Sequence, residues 1–351
     1  MKKTRIAING FGRIGRAFLK VARIREELEI VAVNDLGNIK NFAYLLKYDT
    51  AYGVSDFSVE ADESSSTLII DGHKVKFIRE KDPTKLPWRD LNIDVVVEST
   101  GLFTSSEKAQ AHIDAGAKRV VVTAPVKDSP DSKIKGATIL MSMNEDALQT
   151  CSISSNASCT TNAGSPLIAI LDETIGVEKA LLNTVHAYTA SQALVDGPSK
   201  KDFREGRSAA QNIVPSSTGA AIAVTQVMPH LKGLFDGISI RVPVVTGSIV
   251  DVTFVSKKNT TVEEVNSILK KAASEDRWKN IFTVTEEQLV SHDIIGNHHA
   301  SIADLSFTRV VGGPSNKLGT GNLVKVLAWY DNEMGYTHTL VQHVIKAGML
   351  I

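Results

Sequence analysis

Hydrophobic positions change their spacing twice between Thr4 and Asp35. "TRIAING" is a short apolar run that predicts a buried strand, and "GFGRIGRAFLKVARI" then places Ile14, Ala17, Phe18, Val21 and Ala22 on one helical face. "LEIVAVND" returns to β-branched residues and ends at Asp35. Strand, tight turn, helix and strand in that order predict a βαβ unit with parallel strands. "NIDVVVESTG" and "AKRVVVTAP" repeat the buried strand that ends in small polar residues, with an amphipathic segment from Ser106 to Ala117 between them. "TLIIDGHKVKFI" instead predicts an antiparallel hairpin turned at Asp71-Gly72.

Beyond residue 155 the strands lengthen and alternate, as in "ISIRVPVVTGSIVDVTFVS", and "TTVEEVNSILKKAA" predicts a helix with a Thr261-to-Glu264 capping box. The change of pattern predicts two domains of different sheet type. Ala190 to Val214, rich in Ser, Gly and Lys, shows no period and predicts one long ordered loop.

Composition narrows the function without choosing it. The 351 residues are 43% hydrophobic and 22% charged, which suits a globular chain of two domains. Lys+Arg and Asp+Glu balance at 39 each, so no basic face is expected for nucleic acid or an anionic membrane. Two cysteines, Cys151 and Cys159, are too few and too close for a disulfide framework, and predict a reducing, cytoplasmic setting. Arg5 and Gly10 interrupt the amino-terminal segment before a signal-peptide core or spanning helix could form.

Chemistry enters with the glycines. Gly10, Gly12 and Gly15 make G-x-G-x-x-G between a predicted strand and helix, where backbone can approach a pyrophosphate at the helix's positive end. Asp35 ends the next strand, where its carboxylate would accept ribose hydroxyls and repel a 2′-phosphate; NAD is expected over NADP. In "SNASCTTNAG", Cys159 falls at the first turn of a predicted helix, whose unpaired N–H groups favour a thiolate. A free cysteine is ordinarily a small buried hydrophobe, and that reading suits Cys151. His186, at the end of "LLNTVH", supplies a base for the thiol. Arg241 inside "ISIRVPV" is a charge among apolar residues that calls for an anion, and Thr218 with Gly219 in "PSSTGAA" suggests the lip of a phosphate cradle. No metal site is expected.

"INGFGRIGR", "SNASCTTN", "VHAYT", "STGAA", "IRVP" and "WYDNEMGY" occur here in the order found in phosphorylating glyceraldehyde-3-phosphate dehydrogenase, and the chain resembles that family nearly end to end. The resemblance implies a Rossmann-type NAD-binding domain over 1–158, completed by a C-terminal helix at 333–351, and an α+β catalytic domain with a largely antiparallel sheet over 159–332. It implies oxidation of glyceraldehyde 3-phosphate to 1,3-bisphosphoglycerate: Cys159 attacks the carbonyl, His186 assists, hydride passes to NAD, and inorganic phosphate releases the acyl group. Carried over by position, Ser158, Thr160, Thr218 and Gly219 fall on the inorganic-phosphate side, and Thr189 and Arg241 on the substrate-phosphate side. Gly10, Gly12, Arg13, Ile14, Asp35, Lys81, Thr123 and Asn332 would hold the cofactor, Asn332 by its carboxamide end. A homotetramer is the family's state, with the 190–214 loop at a subunit interface.

Departures from the family pattern are Ala163, where a second cysteine is common; Ile222, where a lysine is common; and "VPVVTGS" beyond Arg241. Two alternatives stand at this level: an erythrose-4-phosphate dehydrogenase, which would depart from the "HAYT" segment, and a non-catalytic NAD-binding regulatory or adhesive protein, which would not need Cys159, His186 and Arg241 together.

Overall fold

Residues 2–126, 128, 132–134, 136–199, 202–313 and 318–351 are described by the computed structural model. The chain divides into two units, one of Met1–Ala157 with Thr337–Ile351 and one of Ser158–Tyr336.

In the first unit the apolar runs become the centre of a nine-stranded sheet. Thr4–Asn9 pairs in parallel with Leu28–Asn34 on one side and Val95–Glu98 on the other. Ile6, Ile8, Val33, Val95, Val96 and Val97 are all fully buried, which is why these strands tolerate no alternation: both faces are covered. Arg119–Val122, Ile153–Ser155 and Ala137–Thr138 continue the parallel set. At the other edge His73–Ile78 is parallel to Leu28–Asn34, and Thr67–Ile70 and Val59–Asp62 turn back antiparallel. The turn at Asp71-Gly72 takes φ of 48° and 78°, both left-handed, as a two-residue hairpin requires. The helix expected from Ser106 ends at Asp114, short of Ala117, because Gly116 at φ 110° leaves helical space.

The second unit is built on a seven-stranded sheet in the order Val214–Ser217, Phe235–Val242, Val177–Ala187, Ser248–Thr261, Thr320–Tyr330, Ser301–Gly312, Phe282–Thr285. Most pairs are antiparallel, but Val177–Ala187 runs parallel to Phe235–Val242 and Phe282–Thr285 parallel to Ser301–Gly312. The first parallel pair follows from the long connection between its strands, which includes the helix Ala220–Val227 and is far longer than a hairpin. Alternate residues of Ser248–Ser256 are buried, Val250, Val252 and Phe254 among them, and the helices Cys159–Thr174 and Val262–Ala273 pack on that strand. The capping box expected at Thr261 forms by half. Thr261 Oγ1 accepts the Glu264 N–H, but the Glu264 carboxylate accepts from Thr260 Oγ1 instead of reaching the cap's own N–H. Within the 190–214 loop, residues 200–201 lie outside the described set; the rest includes a 3-10 turn at Phe203–Gly206 and is tied by Asp196 to Arg207 and the Ser208 N–H.

Candidate active site

A groove lies at the carboxyl ends of the first unit's parallel strands, lined among others by Gly10, Gly12, Asp35, Lys81, Ser99 and Thr100. The helix that opens on it, Arg13–Ala22, has Gly12 at its N-cap and no side chain capping it. A Cβ on Gly12 would meet nothing within 4 Å, whereas one on Gly15 would stand 2.1 Å from the Gly10 carbonyl oxygen. One glycine therefore keeps the groove open and the other lets helix and turn touch. Asp35 Oδ2 accepts the Phe11 N–H at 2.7 Å and Oδ1 accepts the Gly37 N–H at 3.1 Å, which fixes the carboxylate at the groove with a lone pair to spare on each oxygen. An open, uncapped helix end beside a fixed carboxylate suits the pyrophosphate and ribose of a dinucleotide. The Arg13 guanidinium is directed to Asp49 Oδ2, at 2.8 Å. Ile14 is half-buried in that helix, and Thr123 follows the strand Arg119–Val122 with its N–H on the Glu98 carbonyl.

In the second unit the register of two parallel strands sets His186 opposite Arg241. Cys159 begins its helix one residue after Ser158, whose Oγ accepts the Thr161 N–H. Cys159 Sγ lies 3.3 Å from His186 Nε2. On the far side of the ring, Nδ1 is 2.6 Å from the Ala187 carbonyl and 2.6 Å from Arg241 Nη1. A protonated Nδ1 serves the carbonyl and a lone pair serves the guanidinium, so the two neighbours compete for one ring position.

Burial works against the thiolate expected at the start of this helix. Burial pushes the Cys159 thiol up; the Arg241 charge and hydrogen bonds from Thr160 oppose this without overcoming it. Burial, and then the Arg241 charge, drive His186 down to about 3, against the pull of the Ala187 carbonyl. The physical reason is desolvation: neither a lone thiolate nor an imidazolium is well solvated in this pocket.

Elsewhere in the second unit, Thr189 Oγ1 meets Ser191 Oγ at 3.0 Å, and Thr218 Oγ1 accepts the Ala220 N–H. Gly219 is exposed at the N-cap of Ala220–Val227. Ile222 is 62% exposed, so it fills no core position that a lysine would have left empty. Ala163 is fully buried. The Thr160 hydroxyl, expected toward phosphate, instead meets Tyr330 OH at 2.9 Å, and Thr184 Oγ1 meets the same OH at 2.7 Å. Tyr330 lies in the strand Thr320–Tyr330 and is 1% exposed. Its signal is a phenol in a buried alternating strand, where the hydroxyl must find partners; burial pushes its pKa well up. Asn332 Oδ1 accepts from Ser248 Oγ and the Gly247 N–H, at 2.9 and 3.2 Å.

Comparison with known proteins is consistent along the chain. The family model described as glyceraldehyde 3-phosphate dehydrogenase, NAD binding domain, matches residues 4–106, and the C-terminal domain model of the same family matches residues 158–332. The chain is 45% identical to glyceraldehyde-3-phosphate dehydrogenase 1 of Kluyveromyces lactis, over 97% of this chain and 99% of the relative. It is 46% identical to the glyceraldehyde-3-phosphate dehydrogenase of Clostridium pasteurianum, over 97% of each. Glyceraldehyde-3-phosphate dehydrogenase 1 of Trichormus variabilis is also 46% identical, over 99% of this chain and 97% of the relative.

Proposed function

The chain belongs to the glyceraldehyde-3-phosphate dehydrogenase family, and from that premise we propose that Cys159, His186 and Arg241 carry its reaction. It is an NAD-dependent oxidoreductase that acts on glyceraldehyde 3-phosphate and inorganic phosphate. The observation that carries the residue assignment is one imidazole touching both a thiol sulfur and a guanidinium.

The aldehyde's phosphate, with Thr189 and Arg241 as its partners, draws the guanidinium off His186 Nδ1. Nδ1–H then donates to the Ala187 carbonyl, which leaves the Nε2 lone pair facing sulfur. As Cys159 Sγ attacks C1, its proton passes by way of Nε2 to the carbonyl oxygen, giving a thiohemiacetal. NAD, when bound, supplies the acceptor for the C1 hydride. As that hydride departs, Nε2 takes the hydroxyl proton, and a thioester remains on sulfur. Inorganic phosphate, gripped by Ser158, Thr218 and Gly219, attacks the thioester carbon; the sulfur leaves, takes the proton back from Nε2, and the acyl phosphate 1,3-bisphosphoglycerate is formed. Thr160 contributes through hydrogen bonds to sulfur, its hydroxyl being shared with Tyr330.

Gly10, Gly12, Arg13, Ile14, Asp35, Lys81, Thr123 and Asn332 would hold NAD, all but Asn332 from the NAD-binding domain of residues 1–158 with 333–351; residues 159–332 would form the catalytic domain. A homotetramer is favoured by the exposure of Leu194, Val195, Phe203 and Ile213 on the long loop, apolar side chains that a second copy would cover. Two free thiols suit a cytoplasmic location, and no helix among the described residues is long and apolar enough to cross a membrane. The test is NADH formation from glyceraldehyde 3-phosphate and from erythrose 4-phosphate, with and without inorganic phosphate. Turnover is expected with the first aldehyde, dependent on phosphate and absent in Cys159→Ser; a variant that still turns over removes Cys159 from the chemistry.

A further inference from the structure

Asn332 presents an amide whose two ends differ chemically but hardly in shape, and its orientation is decided by its neighbours. Its oxygen receives the Gly247 backbone N–H at 3.2 Å and the Ser248 hydroxyl at 2.9 Å. Turned over, the amide would set its NH2 against a backbone N–H, donor against donor. Thr246 Oγ1 lies 3.2 Å from the same oxygen but also 3.0 Å from Asp331 Oδ1, so its single proton is shared. The Ser248 proton is not shared, because Ser248 Oγ already accepts the Ala187 N–H at 3.1 Å and has Asn332 as its acceptor. Ser248 is 1% exposed, out of reach of competing water.

Ala187 is the residue whose carbonyl meets His186 Nδ1. One buried hydroxyl thus joins the strand end that holds the base to the Asn332 amide. Gly247 makes the arrangement possible: it sits at φ 90°, and a Cβ there would stand 2.2 Å from the Ser291 carbonyl oxygen.

We infer that Ser248, with the Gly247 N–H, is a positioning residue for NAD: it locks the Asn332 amide with Nδ2 outward as a donor, and ties that donor to the His186 strand. The inference rests on the reading of Asn332 as the partner of the nicotinamide carboxamide, and it concerns the nicotinamide half of the cofactor alone. ADP-ribose, which lacks nicotinamide, is the discriminating probe.

The experiment is calorimetric titration of the full chain with NAD and with ADP-ribose, for wild type, Ser248→Ala, Ser248→Thr and Asn332→Asp. Ser248→Ala is expected to weaken NAD by about tenfold, the worth of one buried hydrogen bond, while ADP-ribose stays within about twofold. Ser248→Thr keeps the hydroxyl and restores NAD affinity. Where Ser248→Ala does not fold, Ser248→Cys takes its place, its weaker donor giving a smaller but still NAD-specific loss. Equal weakening of NAD and ADP-ribose, no weakening of either, or a Ser248→Thr protein that binds as poorly as Ser248→Ala overturns the inference. Asn332→Asp separates the two ideas: its carboxylate still accepts from Gly247 and Ser248 but donates nothing. If it binds NAD as wild type does, the reading of Asn332 fails; if it alone loses NAD, only the role of Ser248 fails.

Discussion

Arg241 acts on two neighbours at once. It lies 2.6 Å from His186 Nδ1, where its charge helps hold the imidazole neutral, and it is the cation to which an aldehyde phosphate would turn. Arg241→Leu is therefore expected to raise KM for glyceraldehyde 3-phosphate by about ten- to a hundredfold, the loss of one charge-assisted partner of about 1.5–3 kcal/mol. Unphosphorylated glyceraldehyde should be affected far less, and steady-state kinetics on both substrates measures the difference. Equal losses would mean that Arg241 only supports the strand. Cys159, His186 and Arg241 were each legible in the sequence from residue type and local pattern. The direction of the Cys159 and His186 pKa shifts was not, because burial depends on what packs around sulfur and ring, and no neighbour in sequence reports that.

At the scale of elements, the turn from Thr4–Asn9 into Arg13–Ala22 separates two duties of glycine that the motif alone runs together. A methyl on Gly15 would meet the Gly10 carbonyl at 2.1 Å and force the helix off its turn. Gly15→Ala is expected to cost about 1–3 kcal/mol or more of stability, seen as a lower Tm with weakened NAD. A methyl on Gly12 enters open groove, so Gly12→Ala should leave Tm unchanged while NAD affinity falls. Calorimetry of binding and of thermal unfolding on the two variants tests this, and a loss of Tm in Gly12→Ala would contradict it. The strand, helix and hairpin here were legible because their apolar periods are clean. The parallel pairing of Val177–Ala187 with Phe235–Val242 was not, since period within a strand carries no information on which strand lies beside it.

Across the whole molecule, two buried histidines make stability depend on acid. Burial drives both His186 and His343 down to about 3 from an ordinary 6.5. His343 Nε2 meets Ser154 Oγ at 2.8 Å and Nδ1 meets Asn156 Oδ1 at 3.1 Å, contacts that a neutral ring satisfies with one donor and one acceptor. The unfolded chain protonates these rings below 6.5 while the folded chain does not, so their contribution is complete above 6.5 and is lost as pH falls toward about 3. Each ring steepens that loss by up to about 1.4 kcal/mol per pH unit. His343→Gln should flatten the dependence in denaturant unfolding measured at pH 7 and pH 5, and an unchanged slope would count against the argument. The sequence by itself determined the parallel sheet at the amino end, the glycine turn with Asp35 after it, and the thiol at a helix start, because each is a pattern of neighbours along the chain. Tertiary structure alone decided the 3.3 Å approach of Cys159 Sγ to His186 Nε2, the capture of the Thr160 hydroxyl by Tyr330, and the Ser248 bridge from Ala187 to Asn332. Those contacts join residues 27 to 170 positions apart, and burial and hydrogen-bond partnership across such spans exist only once the sheet has set its register.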